Sequence, residues 1–215
     1  MTESVLRADW PAPSNIIAGT TLRSGGEADL PAAPLWLDQV HGTRAVVLGS
    51  ADFDAGVPQA DAVIGRRAGD ICVVRTADCL PVLLTSRDGQ EIAAVHAGWR
   101  GLAAGVIEAT LDRMQHPSSE LLAWFGPAIS QAAFEVGPEV RDSFGVWGQS
   151  DTWFQENDRG RLQADLYGLA AARLQECGVS PPYGGGLCTH TDAERFYSYR
   201  RDGETGRLLS FVCRA

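Results

Sequence analysis

Hydrophobic residues recur along the chain in short runs that are separated by Gly, Asp and Pro. The runs are rich in Val and Ile and most are too short for a helix, so they predict β-strands. These runs are Leu35–Leu37, Ala45–Leu48, Ala62–Ile64, Ile71–Val74, Pro81–Leu84, Ile92–Val95 and Leu121–Phe125. Asp88 and Gly89, which lie between two of the runs, indicate a hairpin connection.

Two segments repeat apolar residues at helical spacing instead. The first follows Gly98 and ends before Pro117, and the second begins at Asp165, a candidate N-cap, and stops at Gly178. Near the C-terminus, Arg195–Tyr199 and Leu208–Val212 predict a closing hairpin. The three glycines 184–186 lack the Lys-Ser/Thr of a phosphate loop and indicate a turn.

Strands concentrated in the first half, with few helices between them, favour an α+β fold over a doubly wound sheet. No linker or repeat divides residues 1–215, so one globular domain is expected. The 45% hydrophobic content is sufficient for a sizeable core. The formal charge of -9 disfavours nucleic acid and anionic membranes as partners, but an anionic small molecule can still bind a local arginine.

The compartment expected from the sequence is the cytoplasm. The first fifteen residues carry charges and prolines and lack the apolar stretch of a secretory signal, and no run is long enough to span a membrane. The five cysteines show no paired spacing, which favours reduced thiols over a disulfide framework.

Three residues in separate turn-like contexts carry the chemistry: His41, Cys79 and His96. Each follows or interrupts an apolar run, so one rim of a sheet can present all three. One thiolate and two imidazoles suit a Zn²⁺ ion with an open fourth position, which is typical of catalytic zinc. Spacing alone does not establish a shared metal, because a buried cysteine is also a common small core residue.

The neighbours of these residues add candidates. Asp78 adjoins Cys79 and is either a carboxylate that orients a histidine or a turn-forming residue. Gly98 and Gly101 flank Trp99 and Arg100 at a helix start, where backbone N–H groups and a guanidinium can bind an anion. The alternative for this segment is a tight strand-to-helix turn with Trp99 packed in the core.

Several longer strings resemble the YfiH/YlmD family, also called laccase-domain or polyphenol-oxidase-like proteins. They follow in the same order from about Leu35 to the end of the chain. The strings are Trp36-Leu-Asp-Gln-Val-His-Gly-Thr43, Thr76-Ala-Asp-Cys-Leu-Pro81, His96-Ala-Gly-Trp-Arg-Gly101, Gly126-Pro-Ala-Ile129, Phe134-Glu-Val-Gly137 and Phe196-Tyr-Ser-Tyr-Arg-Arg-Asp-Gly203.

The resemblance implies a cytoplasmic enzyme that phosphorolyses adenosine, inosine, guanosine or methylthioadenosine and also deaminates adenosine. It implies a sandwich-like α+β fold of mixed sheets with flanking helices, related to deamidating toxins that use a Cys-His pair. It places the family's metal ligands on His41, Cys79 and His96, with zinc as the expected ion and copper as an alternative occupant. Nucleoside and phosphate are the expected partners.

One segment departs from the family pattern. Only Glu27–Asp29 separates Gly26 from Leu30, where family members carry a longer segment. Either the lid over the pocket is short or that segment is missing from this sequence.

The two implied reactions assign further roles. Deamination needs a proton shuttle, and because the His-x-Glu of the familiar zinc deaminases is missing, Asp78 is the candidate. Arg100 and, more weakly, Arg44 are candidate phosphate ligands, and Gln39 is a candidate for reading the base or ribose. Arg44, Arg200 and Arg201 also fit a solvated surface, as Gln39 fits an ordinary exposed strand position.

The remaining cysteines and histidines are weaker candidates. His116 fits a surface helix end, Cys188 with His190 fits packing near the pocket, and Cys72, Cys177 and Cys213 fit small core residues.

Three other functions compete with the nucleoside enzyme. A copper oxidase needs a further cluster built mainly from histidines, and only two histidines remain for it. A metal-free Cys-His amidase or peptidase that edits peptidoglycan precursors would use Cys79 as nucleophile and a histidine as base. A zinc-dependent binding protein would bind a nucleoside without turning it over.

Overall fold

Two β-sheets packed face to face form the centre of the fold, and helices cover the outer face of the larger sheet. The computed structural model describes residues 3–146 and 152–215. Its strands are β1 (Val5–Arg7), β2 (Ile16–Thr21), β3 (Ala45–Val47), β4 (Ala62–Gly65), β5 (Ile71–Thr76), β6 (Leu80–Ser86), β7 (Ile92–Ala97), β8 (Leu121–Phe125), β9 (Glu135–Val136), β10 (Phe154–Glu156), β11 (Leu162–Ala164), β12 (Tyr183–Gly184) and β13 (Leu208–Arg214). Its helices are α1 (Trp99–Ala104), α2 (Val106–Arg113), α3 (Pro138–Ser143), α4 (Leu166–Glu176) and α5 (Tyr199–Asp202).

The smaller of the two packed sheets has the order β1-β2-β13-β5, and the larger has the order β12-β8-β6-β7-β4-β3. In the larger sheet, β3 runs parallel to β4 and β12 runs parallel to β8, whereas the other neighbours are antiparallel. Strands β9, β10 and β11 form a separate small sheet. Mixed sheets with few helices confirm the coarse fold prediction.

Two apolar layers hold these elements together. Between the sheets, Val74 and Val212 pack with Leu83 and Ala94 of the larger sheet. On the other face, alternate residues of the same central strands pack with the apolar sides of α1, α2 and α4. Strands β6 and β7 are therefore buried on both faces, which explains why they are continuous apolar runs in the sequence.

Six of the seven predicted strands are confirmed, and Leu35–Leu37 is the exception. Pro34 removes a backbone donor just before this run, and the adjacent backbone makes only an isolated bridge from Asp38 to Gln59. Leu37 is nevertheless buried between the sheets. The run is apolar because of its packing, not because it belongs to a sheet.

The first predicted helix is in fact two helices. Gly105 has a φ of +96° and forms the C-cap of α1 and the N-cap of α2, so the chain bends there. The second helix follows the prediction. The carboxylate of Asp165 accepts a hydrogen bond from the Gly168 N–H at the start of α4, and Gly178 follows its end with a φ of +85°.

The predicted C-terminal hairpin is wrong. Strand β13 forms as expected, but it pairs with β2 and β5 on its two sides rather than with residues 195–199. Ser198 instead caps α5, because its side chain accepts a hydrogen bond from the Arg201 N–H. The Asp88–Gly89 turn is confirmed, since it connects the antiparallel strands β6 and β7.

Candidate metal and substrate site

Three chain segments meet at one edge of the larger sheet. Cys79 lies in the turn between β5 and β6, and His96 lies near the end of β7. The antiparallel register pairs Pro81 with His96, so the beginning of β6 lies beside the end of β7. His41 comes from the loop before β3 and has a φ of +60°.

The structure brings His41, Cys79 and His96 together as the sequence predicts. One ligand atom from each residue lies within 4.8 Å of the other two. Cys79 Sγ is 3.8 Å from His41 Nε2, and the two imidazole rings are 4.7 Å apart at an angle of 71°. Tetrahedral zinc bonded to sulfur and nitrogen holds such atoms roughly 3.3–3.7 Å apart. The donor set therefore suits a metal ion, and the ligand atoms would draw closer together to reach the spacing that zinc requires.

Gly98 is part of this geometry because the site leaves no room for a side chain there. A Cβ at this position would lie 2.9 Å from His41 Cδ2 and 3.0 Å from Cys79 Sγ. Gly98 precedes α1 with a φ of -64°, so its backbone does not itself require glycine. The close approach of the two ligand side chains is what requires it.

Asp61 is a site residue that the sequence reasoning missed. Its carboxylate is fully buried and lies 2.8 Å from His96 Nδ1. From the sequence, the candidate for such a carboxylate is Asp78, next to Cys79. The available signal was an aspartate directly before the buried run Ala62–Ile64, a position where a charge needs a partner.

The groups of the site shift one another's pKa values. Burial alone would raise the pKa of Cys79, but hydrogen bonds with His41 and His96 and their charges lower that pKa to about 6. Burial would likewise lower the pKa of His96, but hydrogen bonds with Asp61 and Cys79 raise it to about 9. Burial opposes ionisation of Asp61, yet the contact with His96 lowers its pKa. The thiolate that a metal requires is thus favoured at neutral pH.

Asp78 adjoins the site in a constrained conformation with a φ of +97°. One carboxylate oxygen accepts a hydrogen bond of 2.6 Å from Thr189 Oγ1, and the other accepts one of 2.7 Å from the Arg200 N–H. These bonds connect the turn before Cys79 to the C-terminal part of the chain. They fit the turn-forming alternative stated for Asp78, which is also one of the residues that line the cavity described next.

The three residues face a cavity of about 760 Å³. Four arginines line it: Arg75, Arg100, Arg200 and Arg207. Apolar and aromatic side chains line other parts of the wall, among them Ile129, Phe134, Leu166 and Tyr199. An open metal group beside a cavity with cationic and aromatic walls can bind a polar, ring-containing anion or hold two substrates together.

The predicted substrate residues Arg100, Gln39 and Arg44 differ in whether they line the cavity. Arg100 lines the cavity, with its guanidinium 4.3 Å from the ring centre of Trp99. Gln39 also lines it, but its amide exchanges two hydrogen bonds with the backbone of Arg75. Arg44 is not among the residues that line this cavity, and its guanidinium pairs with Asp52 at 3.0 Å.

The other arginines considered in the sequence also have defined places. Arg200, considered a surface residue, lines the cavity and donates a hydrogen bond to the Glu135 carbonyl oxygen. Arg201 donates to the carbonyl oxygens of Thr189, His190 and Phe196 and so holds the C-terminal loop. Sequence reasoning missed Arg75, although a charged residue directly after the apolar run Ile71–Val74 was a visible signal.

The described residues contain one cluster with metal-binding geometry, which is His41, Cys79 and His96. His116 instead contacts Glu91 and Asp88, so it is an ion-paired residue rather than a simple surface cap. Cys188 accepts hydrogen bonds from Ser130. The described part of the chain therefore has no second histidine cluster of the kind that a multicopper oxidase needs.

The chain thus combines a mixed two-sheet fold with an open Cys-His₂ group at the edge of an arginine-lined cavity. The chain belongs to the family described as multi-copper polyphenol oxidoreductase laccase, whose profile matches residues 18–215. The resemblance to YfiH and YlmD proteins is thereby confirmed.

Relatives with names cover almost the whole chain. A Pseudomonas aeruginosa protein named purine nucleoside phosphorylase is 44% identical over 96% of this chain and 97% of its own length. The Escherichia coli K12 protein named purine nucleoside phosphorylase YfiH is 46% identical over 94% of this chain and 96% of its own length. Both alignments are longer than the 215 residues of this chain, so the relatives carry additional residues.

Solved structures share the fold. Neisseria meningitidis protein NMB0706 superposes with a TM-score of 0.90 at 39% identity, covering 98% of this chain and 99% of that one. YlmD from Geobacillus stearothermophilus superposes with a TM-score of 0.85 at 26% identity, covering 100% and 97%. Among the described helices, none combines the length and the hydropathy that crossing a bilayer requires.

Proposed function

We propose that this protein is a zinc-dependent purine nucleoside phosphorylase that also deaminates adenosine. Its substrates are adenosine, inosine, guanosine and methylthioadenosine, with inorganic phosphate as the second substrate. The names of the relatives support the first activity. The observation that carries the proposal is the combination of a Cys-His₂ group with unneutralised arginines in one cavity.

The four cavity arginines keep their positive charge available to a ligand. Within residues 3–146 and 152–215, none of them has a carboxylate within ion-pair distance. Arg75, Arg200 and Arg207 are instead held by backbone carbonyl oxygens, and Arg100 lies against the Trp99 ring. Guanidinium groups that are fixed in place but not neutralised are suited to phosphate.

Aromatic side chains supply the second binding element. Tyr199 lines the cavity and remains 61% exposed, so its side chain is accessible to a ligand. Phe134 lines the same cavity and packs against the Arg200 guanidinium. Flat purine rings stack on such side chains, whereas phosphate does not. We assign the base to this aromatic wall and the phosphate to the arginines.

His41, Cys79 and His96 would hold the zinc. Bound zinc supplies a Lewis acid for nucleoside chemistry. The chain itself orients the reactants: the arginines fix phosphate near the ribose, and Tyr199 restrains the base. Apolar residues such as Ile129 and Leu166 limit the access of water.

Asp78 remains our candidate proton shuttle for deamination. Its side chain lines the cavity beside Cys79, and the hydrogen bonds from Thr189 and Arg200 fix its orientation. Asp78→Asn keeps most of that hydrogen bonding. If the carboxylate transfers a proton, this variant loses inosine formation more than adenine formation.

The experiment that tests the function is incubation of the zinc-loaded protein with adenosine, with and without phosphate. We expect adenine and ribose-1-phosphate only with phosphate, and inosine under both conditions. Cys79→Ser, which removes the thiolate ligand, is expected to lose zinc and all three products. Absence of all three products in protein with one zinc per chain would reject the proposal.

A metal-free Cys-His amidase is a second candidate, and the short distance between Cys79 Sγ and His41 Nε2 favours it. Elemental analysis separates the two candidates, and it also distinguishes zinc from copper. A metal-free protein that is active on peptidoglycan amides and is inactivated by alkylation of Cys79 would favour the amidase. Stoichiometric zinc with nucleoside turnover favours the phosphorylase.

A further inference from the structure

One oxygen of a buried carboxylate contacts both histidines of the site. Oδ1 of Asp61 lies 2.8 Å from the His96 ring nitrogen Nδ1 and accepts a hydrogen bond of 2.9 Å from the His41 backbone N–H. Oδ2 accepts hydrogen bonds of 2.7 Å from the Gly42 N–H and 3.3 Å from the Val40 N–H. Asp61 is fully buried and immediately precedes β4.

The backbone of Asp61 is fixed as well. Its carbonyl oxygen accepts a hydrogen bond of 2.7 Å from the His96 N–H, and its own N–H donates to the Arg44 carbonyl oxygen. The residue is therefore attached to β7 and to the His41 loop by main chain and side chain together. A displacement of its carboxylate would therefore disturb the His96 ring and the His41 backbone together.

The His41 loop depends on this carboxylate because its own conformation is unfavourable. His41 has a φ of +60°, a region that residues with a Cβ rarely occupy. Three consecutive N–H groups, those of residues 40 to 42, converge on the two oxygens of Asp61. The candidate ligands among the described residues, His41, Cys79 and His96, include no carboxylate, so Asp61 acts on them from outside the group.

The contact with His96 also fixes which ring nitrogen faces the metal position. Nδ1 points at a carboxylate and so carries the proton, which leaves the Nε2 lone pair for the metal. We propose that Asp61 is the positioning residue of the metal site, because it sets the ring orientation of His96 and the backbone of His41 through one carboxylate. This inference rests on the proposed metal site and not on the proposed reaction.

The test is the zinc dissociation constant of Asp61→Asn, measured by competition with a chromophoric chelator. An asparagine replaces one acceptor oxygen by an NH₂ donor, which then faces either His96 and the His41 N–H or the two other loop N–H groups. We expect zinc affinity to fall by about 10- to 100-fold, the usual effect of losing a partner of a metal-ligating histidine. Unchanged affinity in a folded variant would overturn the proposal.

The matched control is Glu91→Gln. Glu91 is another buried carboxylate that accepts hydrogen bonds from two backbone N–H groups and contacts a histidine, His116. It lies at the opposite end of β7 from His96. We expect this variant to bind zinc within about threefold of the unchanged protein, because distant sites act independently. An equal loss in both variants would mean general destabilisation and would also overturn the proposal.

A measurement on the unchanged protein covers the case in which Asp61→Asn does not fold. Nitrogen NMR of the zinc-loaded, histidine-labelled protein assigns the metal-bound nitrogen of each ring. We expect His96 to bind through Nε2 and to keep a slowly exchanging proton on Nδ1. Binding through Nδ1 would be incompatible with the Asp61 contact. Zinc affinity and ring assignment need no turnover, so failure of the nucleoside assay leaves this test intact.

Discussion

At the scale of single residues, Gly98 contributes to the site because it has no side chain. Any side chain at this position would overlap with His41 and Cys79, because their nearest atoms lie only 2.9 and 3.0 Å from the position of the missing Cβ, closer than van der Waals contact. Both contacts are with side chains that must keep their orientation to bind one ion. The effect of a substitution should therefore appear in metal binding before it appears in the stability of the fold.

We predict that Gly98→Ala weakens zinc binding by at least about 10-fold, comparable to the loss of the hydrogen-bond partner of a metal-binding histidine. Because the φ of Gly98 suits alanine, we expect the free energy of unfolding of the metal-free protein to change by less than about 1 kcal/mol. Chelator competition and urea unfolding measure the two quantities.

Gly26→Ala is the control, because a Cβ at position 26 meets no atom within 4 Å. It should leave zinc affinity unchanged. Equal zinc affinity in Gly98→Ala and in the unchanged protein would contradict the steric argument.

The predictability of the site differs from residue to residue for a physical reason. His41, Cys79 and His96 are recognisable because their side chains bear the chemistry and stand in distinctive turn strings. Asp61 and Arg75 act through contacts with segments far away in the sequence, which only the folded chain reveals. Their signals, a charge beside or within a buried run, do not specify a partner.

At the scale of elements, Glu91, the residue before β7, contacts the chain segment that follows α2. Its buried carboxylate pairs with the Arg66 guanidinium at 2.8 Å and with His116 Nδ1 at 3.0 Å. It also accepts hydrogen bonds from the backbone N–H groups of Gln115 and His116, which follow α2. This cluster joins β7 to the chain after α2, so its charge state affects how these elements pack.

The cluster gives the protein a pH-dependent component of stability. The hydrogen bond with Glu91 raises the pKa of His116 above its ordinary 6.5. Burial alone would raise the pKa of Glu91, but the hydrogen bonds from His116 and Arg66 outweigh burial and lower that pKa. The contribution of His116 is complete below pH 6.5 and is lost as the pH rises through its raised pKa. The contribution of Glu91 is present above pH 4.5 and is lost as the pH falls.

We therefore predict that His116→Gln lowers the free energy of unfolding more at pH 6 than at pH 9. A difference of about 1 kcal/mol corresponds to one charge-assisted hydrogen bond. Urea unfolding at both values measures it. His190→Gln is the control, because the His190 ring makes no ion pair with the described residues. An equal loss at both pH values would contradict the assignment.

Elements buried on both faces could be predicted from sequence, whereas elements defined by their partners could not. Strands β6, β7 and β8 read as continuous apolar runs because apolar layers cover both sides. Strand β2 and the short strands β9 to β11 have mixed burial, and β2 and β9 pair with the distant strands β13 and β11. The loop Leu35–Leu37 has the opposite property, since it is apolar without belonging to a sheet.

At the scale of the whole molecule, the proposed metal site connects three parts of the chain. His41 belongs to the loop before β3, Cys79 joins the two packed sheets through β5 and β6, and His96 ends β7. The unfolded chain does not hold these ligands at 4.8 Å separations, so bound metal favours the folded state.

We predict that zinc at 100 times its dissociation constant raises the free energy of unfolding by about 2.7 kcal/mol. Thermal unfolding with and without a chelator measures the effect. Cys79→Ser should have a smaller zinc-dependent shift, because it lacks the thiolate. A zinc-dependent shift of equal size in this variant would place the bound ion elsewhere.

The overall charge of the molecule and the charge of its cavity have opposite signs. The chain carries a formal charge of -9, which repels phosphate at long range, whereas four arginines without carboxylate partners in the described part of the chain line the cavity. The proposed phosphate binding then depends on short-range attraction inside the cavity, which salt screens less than it screens the long-range repulsion.

We predict that Arg100→Gln raises the KM for phosphate about 10-fold, through loss of a charged hydrogen bond, and leaves the KM for adenosine within about twofold. Steady-state kinetics with each substrate varied in turn measure both constants. The control is Arg87→Gln, because Arg87 lies in the β6–β7 turn and its guanidinium donates a hydrogen bond to Ser180 Oγ. An equal rise in phosphate KM in both variants would show that general surface charge, not the cavity arginines, attracts the anion.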